Sequence, residues 1–343
     1  DHLRYVGLFP TVTEAKLLPT NSFVQQARYR IQVPVPIALL SFDQKVVMQH
    51  QYHHNRLTTL IIDSPIQHGL GQFEWFELPN GKTLVTLTQW GDLNAPKGFI
   101  VTTLLRALPE LKLGIPNGVG AFVLESIRRR FDPDPTLGKV YPLEQLIPTH
   151  HLNERQQQQV KRLIQHSGQP VVFSHPAVWL RTSKRPEKMF FSTSYARIHA
   201  TPKHAFDTLS DPKRYRHLFK QIKKVNLTPA TQGTNAHIRV GLGLGVITIP
   251  YHVKLNIQQP TPQTAVFHAN GGDIEFFSGR IHLSAWDERT SLAQMTSGGK
   301  LGDDAPFLLS IGKSLPYADL LPSIGAAPII LERANRYFDT EKR

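Results

Sequence analysis

The residues of this 343-residue chain best suited to chemistry are its 16 histidines, and they have no cysteine to work with. Without cysteine there is no disulfide framework, no thiolate nucleophile and no thiolate-bound metal. His50, His53 and His54 sit together, as do His150 and His151. Neither group has a His-Glu-x-x-His spacing or a carboxylate partner, so they read as surface or linker histidines, with no metal and no cofactor. No Ser-His-Asp order or nucleophile elbow is present, so no catalytic residue is assigned. Gly241, Gly243 and Gly245 invite a phosphate-loop reading, but the Gly-x-Gly-x-x-Gly spacing and the helix that should follow are both missing. Glu275, Arg280 and His282 remain, on an otherwise apolar run where they would orient a ligand head group. If the chain does acid–base chemistry, Tyr251, Arg280 and His282 are the groups to carry it.

These side chains need strands to hold them. Ile238, Val240, Leu242 and Leu244 alternate on one face of residues 235–244, and Ile249, Tyr251, Val253, Leu255 and Ile257 do so over 248–258. Further strands are expected over 222–228, 264–270, 273–286 and 291–297, separated by turn residues. Residues 188–200 alternate as a strand ahead of them. Thr201 and Pro202 then cap and open a helix over 203–210, and a second short helix spans 212–219. Residues 305–338 carry Leu, Ile and Ala at helical spacing and form a closing helix interrupted at Pro316, Pro322 and Pro328. The class is α+β, one antiparallel sheet on one major helix.

The chain holds this arrangement twice. Asp1, Arg4, Tyr5, Leu8 and Phe9 recur as Asp211, Arg214, Tyr215, Leu218 and Phe219, an offset of 210. Ala27 and Arg30 match Ala236 and Arg239 at 209, Lys45 matches Lys254, and Leu108, Leu124 and Phe131 match Leu315, Leu331 and Phe338 at 207. A drift of three residues over a domain length describes two homologous domains. First-copy strands are expected over 24–35, 37–50, 57–62, 71–78 and 83–90, with a hairpin turn at Asn80-Gly81. A closing helix over 99–131, broken at Pro109 and Pro116, completes it. Pro34 and Pro36 replace two of the glycine positions, which removes the phosphate-loop reading. Nothing in the first copy answers to residues 188–210. Either residue 1 falls partway through a domain, or another segment such as residues 169–180 fills the edge. The expected organisation is therefore domain 1 over 1–131, a linker with one capped helix over 132–187, and domain 2 over 188–343.

Composition limits the partners. Hydrophobic residues make up 40%, mean hydropathy is −0.25, and no apolar run approaches the ~20 residues that cross a bilayer. A net charge of +13 and pI near 9.9 suit loose peripheral contact with an anionic membrane, or simply a solvated basic surface. The basic residues are scattered and no base-reading helix or aromatic RNA motif appears, so nucleic acid is not expected. The absence of cysteine is compatible with an oxidising compartment such as the periplasm or cell envelope.

Thr201-Pro202, the helix after it, and Asp211-Pro212-x-x-Tyr215 before Leu218 and Phe219 resemble the START-like (SRPBCC, Bet v 1-type) helix-grip superfamily, in particular its polyketide cyclase and coenzyme Q-binding branch. The resemblance covers about 150 residues of the second copy and about 130 of the first. It implies two tandem helix-grip domains, the first lacking its initial strand and helix, each a curved antiparallel sheet gripping a long C-terminal helix over an apolar cavity. Val240, Leu242, Tyr251, Val253, Leu255, Phe276, Leu315, Tyr317, Leu320, Ile324 and Ile329, with Arg280 and His282 as polar groups, would line the second cavity. Ile31, Val33, Phe42, Val46, Leu108, Leu113, Val119 and Phe122 would line the first. The function implied is binding and transport of a hydrophobic small molecule of lipid, sterol, isoprenoid or quinone type. The alternatives are a didomain polyketide aromatase/cyclase, or a sensing module with one degenerate domain as scaffold.

Overall fold

A computed structural model describes residues 2–20, 24–34, 41–64, 68–94, 102, 105, 111–132, 139–142, 148, 151–181, 185–244, 247–301 and 318–341. The chain divides into two compact units, one over Asp1–Pro135 with Ile311–Ala318 and one over Thr136–Ser310 with Asp319–Arg343. The first unit is an antiparallel meander of β1 (Val12–Leu18), β2 (Gln25–Pro34), β3 (Ser41–His53), β4 (Arg56–Asp63), β5 (Gly69–Glu77) and β6 (Thr83–Gly91). Gly81 takes φ +67°, the left-handed geometry that glycine adopts without penalty, and turns β5 into β6 at the expected Asn80-Gly81. Helix Leu111–Phe131 packs on β6.

The second unit contains β7 (Val140–Pro142), β8 (Val171–Ser174), β9 (Val178–Arg181), β10 (Pro186–Met189), β11 (Phe191–Ile198), β12 (Ile222–Pro229), β13 (Thr234–Leu244), β14 (Ile247–Thr261), β15 (Thr264–Gly272), β16 (Ile274–Ala285) and β17 (Ser291–Leu301). Its main sheet runs β12-β13-β14-β15-β16-β17-β11-β8, antiparallel throughout, beside a small sheet of order β10-β9-β7. Thr201 caps helix Pro202–Leu209, and the closing helix Leu321–Glu341 lies on β11 and β17. Ala327, Leu331 and Ala334 of that helix are fully buried against Ile238, Phe267, Ile281 and Met295 of the sheet. These apolar contacts are the largest favourable contribution to the fold. Among the described residues no helix is long and apolar enough to cross a membrane.

Several expectations are corrected. Both closing helices run through their internal prolines, Pro116 and Pro328, because packing on the sheet holds the helix across the lost hydrogen bond. Pro109 and Pro316 lie outside the described residues. The strand expected over 188–200 is two strands, since Lys188 and Met189 pair with β9 while Phe191 onward pairs with β17. The chain adds β1, paired with β2. Residues 171–174 do not complete the first sheet but pair with β11. Among the described residues no strand pairs with the far edge of β6.

Helix Glu154–Ser167 is held at its start by a capping box, in which the Asn153 side chain accepts the Gln156 N–H at 2.9 Å and Gln156 returns the bond at 3.0 Å. Its Val160 and Ile164 pack on Tyr195 and Leu292, on the side of the main sheet away from the closing helix.

Candidate ligand-binding site

The site is defined by one cross-strand row that both units share. In the second unit the row is Ile257–Phe267–Gly279–Ser297–Ser192, on the helix-facing side. Its hydroxyl end holds the closing helix, because Ser192 and Ser297 both donate to the Ser323 main-chain oxygen, Ser297 at 3.3 Å. Phe267 covers Gly279 so closely that a Cβ there would strike its ring. Glycine at 279 is therefore what admits the phenyl group. The second unit is a helix-grip fold.

In the first unit the row is His50–Thr59–Gly71–Gln89. Gln89 Nε2 donates to the main-chain oxygen of Pro116, which lies 207 positions before Ser323, the offset that relates the two closing helices. The row therefore grips its helix at the same turn in both units. Its contents differ. Thr59 replaces Phe267, and among the described residues a Cβ at Gly71 would meet nothing within 4 Å. Around this open space Met48, Phe73 and Leu87 are half-buried, whereas the matching Leu255, Ile281 and Met295 of the second unit are buried; Ile61 and its match Ala269 are half-buried in both.

The edge of the space is polar. His50 is 1% exposed, with Nε2 bonded to the Tyr29 hydroxyl at 2.9 Å and Nδ1 to Thr59 Oγ1 at 2.9 Å. A neutral imidazole satisfies both contacts in either tautomer. Burial lowers its pKa to about 3. His2 stacks on His50 at 3.8 Å and bonds through Nε2 to the Tyr52 hydroxyl at 3.2 Å. Its ring is equally buried, burial lowers its pKa to about 4, and its Nδ1 has no partner among the described residues. Burial likewise pushes the Tyr5 and Tyr29 phenols up, so both stay protonated. Tyr29, His50 and Thr59 stand where the second unit has Ile238, Ile257 and Phe267.

The residues expected from sequence fall into three groups. Val253 and Leu255 are buried on the helix-facing side, with Val240 and Tyr251 half-buried beside them, and burial pushes the Tyr251 hydroxyl up. Leu320, Ile324 and Val46 are buried, and Ile31, Phe122 and Ile329 are half-buried. Leu108, Leu315 and Tyr317, and the side chains of Leu242, Val33, Phe42 and Leu113, lie outside the described residues.

The third group is displaced. Phe276, Arg280 and His282 occupy the outer side, because alternation along β16 sends Phe277, Ile281 and Leu283 to the helix. Phe276 instead packs on Phe191, Leu180 and Met189, and His282 Nδ1 bonds Thr264 Oγ1 at 3.0 Å. Glu275 is ion-paired with Lys300 at 3.2 Å. Val119 is 49% exposed on its helix, and His50 is buried rather than on the surface. Grouping His50 with His53 and His54 hid it. The alternation Val46, Met48, His50 is the signal that places it inward.

No protein-family model and no curated protein matches the chain. Among solved structures it is similar to the di-domain ARO/CYC StfQ from the steffimycin biosynthetic pathway, at 8% identity over 99% of this chain and 92% of that one, with a TM-score of 0.32. It is also similar to a START superfamily protein from Mycobacterium smegmatis (13% identity, 44% of this chain, 95% of that one, TM-score 0.34). Zhui aromatase/cyclase from Streptomyces sp. R1128 matches at 13% identity over 45% and 96%, with a TM-score of 0.33. The fold assignment rests on the sheet order and the seating of the helix described above.

Proposed function

We propose that the protein binds a largely apolar small molecule against the helix-facing side of the first unit, acting as a carrier, with the second unit as a packed scaffold. The observation that carries this reading is the open space over Gly71, where Thr59 replaces the phenyl group that fills the same place over Gly279. A ligand there would cover the half-buried Met48, Ile61, Phe73 and Leu87, worth about 25 cal/mol for each Å² of apolar surface removed from water. Its polar end would meet the Thr59 hydroxyl and His2 Nδ1. Both histidines are neutral, so an uncharged carbonyl or hydroxyl fits, as in a sterol, isoprenoid alcohol or quinone, while a buried carboxylate would lack a countercharge.

The second reading, a didomain aromatase/cyclase, draws on the Tyr29–His50 pair as acid–base groups. Both nitrogens of His50 are already engaged, which favours anchoring over proton transfer. Native mass spectrometry of the purified chain, with organic extraction of whatever is released, tests the proposal. A co-purifying neutral apolar molecule is the expected result. A ligand-free mass that persists after incubation with sterol and quinone, together with turnover of a poly-β-keto chain that His50→Gln abolishes, would replace the carrier reading with the enzymatic one.

A further inference from the structure

The outer side of each sheet, away from the helix, carries an arginine at matching positions, Arg30 and Arg239, and only the first has carboxylates beside it. Arg30 is flanked by acids, with Nε bonded to Asp43 at 2.7 and 2.9 Å and Nη1 to Glu14 at 2.7 Å. In the second unit Lys224 stands where Glu14 does, directly across from Arg239, and His252 faces Arg239 from the other side. The next row pairs His237 with Lys254. Lys224, Arg239, His237 and Lys254 are all exposed, and neither Lys224, Arg239 nor Lys254 makes an ion pair among the described residues. The remaining outward side chains of these rows, Asn226, Thr228, Asn235 and Asn256, are uncharged. Asp273 is the neighbouring carboxylate, and it accepts the His252 main-chain N–H at 2.6 Å. Exposed Lys220 and Lys223 extend the patch at the start of β12.

Like charges placed directly opposite on a sheet destabilise it. The first unit also opposes Arg30 to Lys45 and Lys16 to Arg28, but there Asp43 and Glu14 pair with Arg30, whereas no carboxylate among the described residues pairs with Lys224, Arg239 or Lys254. We infer that the outer side of β12–β14 docks on an anionic phospholipid surface. The charges are spread over three strands with no Phe, Tyr or Trp among them, and the two rings of these rows, His237 and His252, bond each other at 3.2 Å, which suits a field of headgroups better than stacked bases. The inference rests in part on the ligand proposal, since an apolar cargo is stored in a bilayer, but vesicle binding and ligand binding are measured separately and each can fail alone.

Co-sedimentation of the full chain with vesicles of phosphatidylcholine, and of equimolar phosphatidylcholine and phosphatidylglycerol, tests it. Binding is expected only to the anionic vesicles and should weaken with salt. Each neutralised charge should cost about fivefold, so the triple variant Lys224→Gln, Arg239→Gln and Lys254→Gln should lose about a hundredfold. The variant Lys16→Gln, Arg28→Gln and Lys45→Gln, equal in net charge and placed on the first unit, should bind as the natural chain does. Equal losses in both variants, no preference for anionic vesicles, or tighter binding to single-stranded nucleic acid would each overturn the inference. Circular dichroism checks that the variants fold, and the salt and lipid dependence of the natural chain decides the question even if one does not.

Discussion

Thr59 over Gly71 in the first unit and Phe267 over Gly279 in the second occupy the same place in the same row of the same sheet. In one the middle of the row is polar and leaves an opening among the described residues; in the other it is apolar and filled. What the two keep in common is the grip on the helix, through Gln89 and Pro116 in one and Ser297 and Ser323 in the other. Holding the helix is thus a requirement of the fold, while the middle of the row is free to be either core or site. The outer sides diverge as well, with an ion-paired Arg30 against an unneutralised Arg239 ladder. Each unit has given up a different part of what the other retains.

The comparison can be broken most severely in the packed unit. Phe267→Thr, which gives the second unit the first unit's residue, should cost about 3–5 kcal/mol in urea unfolding, the range for emptying a buried aromatic site. A loss below about 1 kcal/mol would mean that Phe267 does not fill the row. Tyr29→Phe should cost about 1–3 kcal/mol, because it leaves His50 Nε2 buried without a partner. Replacing Tyr29 and His50 together by isoleucine, as in the second unit, should cost less than the sum of the single changes.

Acid should act more strongly on the first unit, which has two histidines lowered by burial where the second has His282. His2 and His50 ionise at about 4 and about 3 when folded, against 6.5 when free. Between pH 6.5 and about 4 the unfolded chain therefore binds protons that the folded unit does not, and stability falls as pH drops through that window, by up to about 1.4 kcal/mol per pH unit for each histidine. Hydrogen exchange corrected for intrinsic rates should show β2 and β3 losing protection before β13 and β14, and simultaneous loss would contradict the comparison. The smallest effect lies outside. Arg30→Gln should lower stability only slightly, as expected for an exposed ion pair, and Arg239→Gln should raise it slightly by relieving the repulsion from Lys224.

Much of the architecture was legible in the chain itself. The repeat located both closing helices and their common register, alternation placed Val253 and Leu255 toward the helix, and Asn80-Gly81 marked a turn. The site was less legible. Arg280 and His282 were misplaced because a strand with polar residues on one side and apolar on the other does not say which side meets the helix until its neighbours are paired. His50 was misread from its company in sequence, and the strand over 188–200 changes sheets at Phe190 without any turn residue to announce it. The opening over Gly71 depends on Thr59, which lies twelve residues away and faces it only once β4 and β5 are in register.

The central claim is that the first unit binds and the second does not. A reciprocal titration of an apolar fluorescent probe tests it directly, using the natural chain, Thr59→Phe and Phe267→Thr. Filling the space over Gly71 should abolish probe binding, and emptying the space over Gly279 should leave the original site intact. Probe binding that survives Thr59→Phe unchanged would contradict the account.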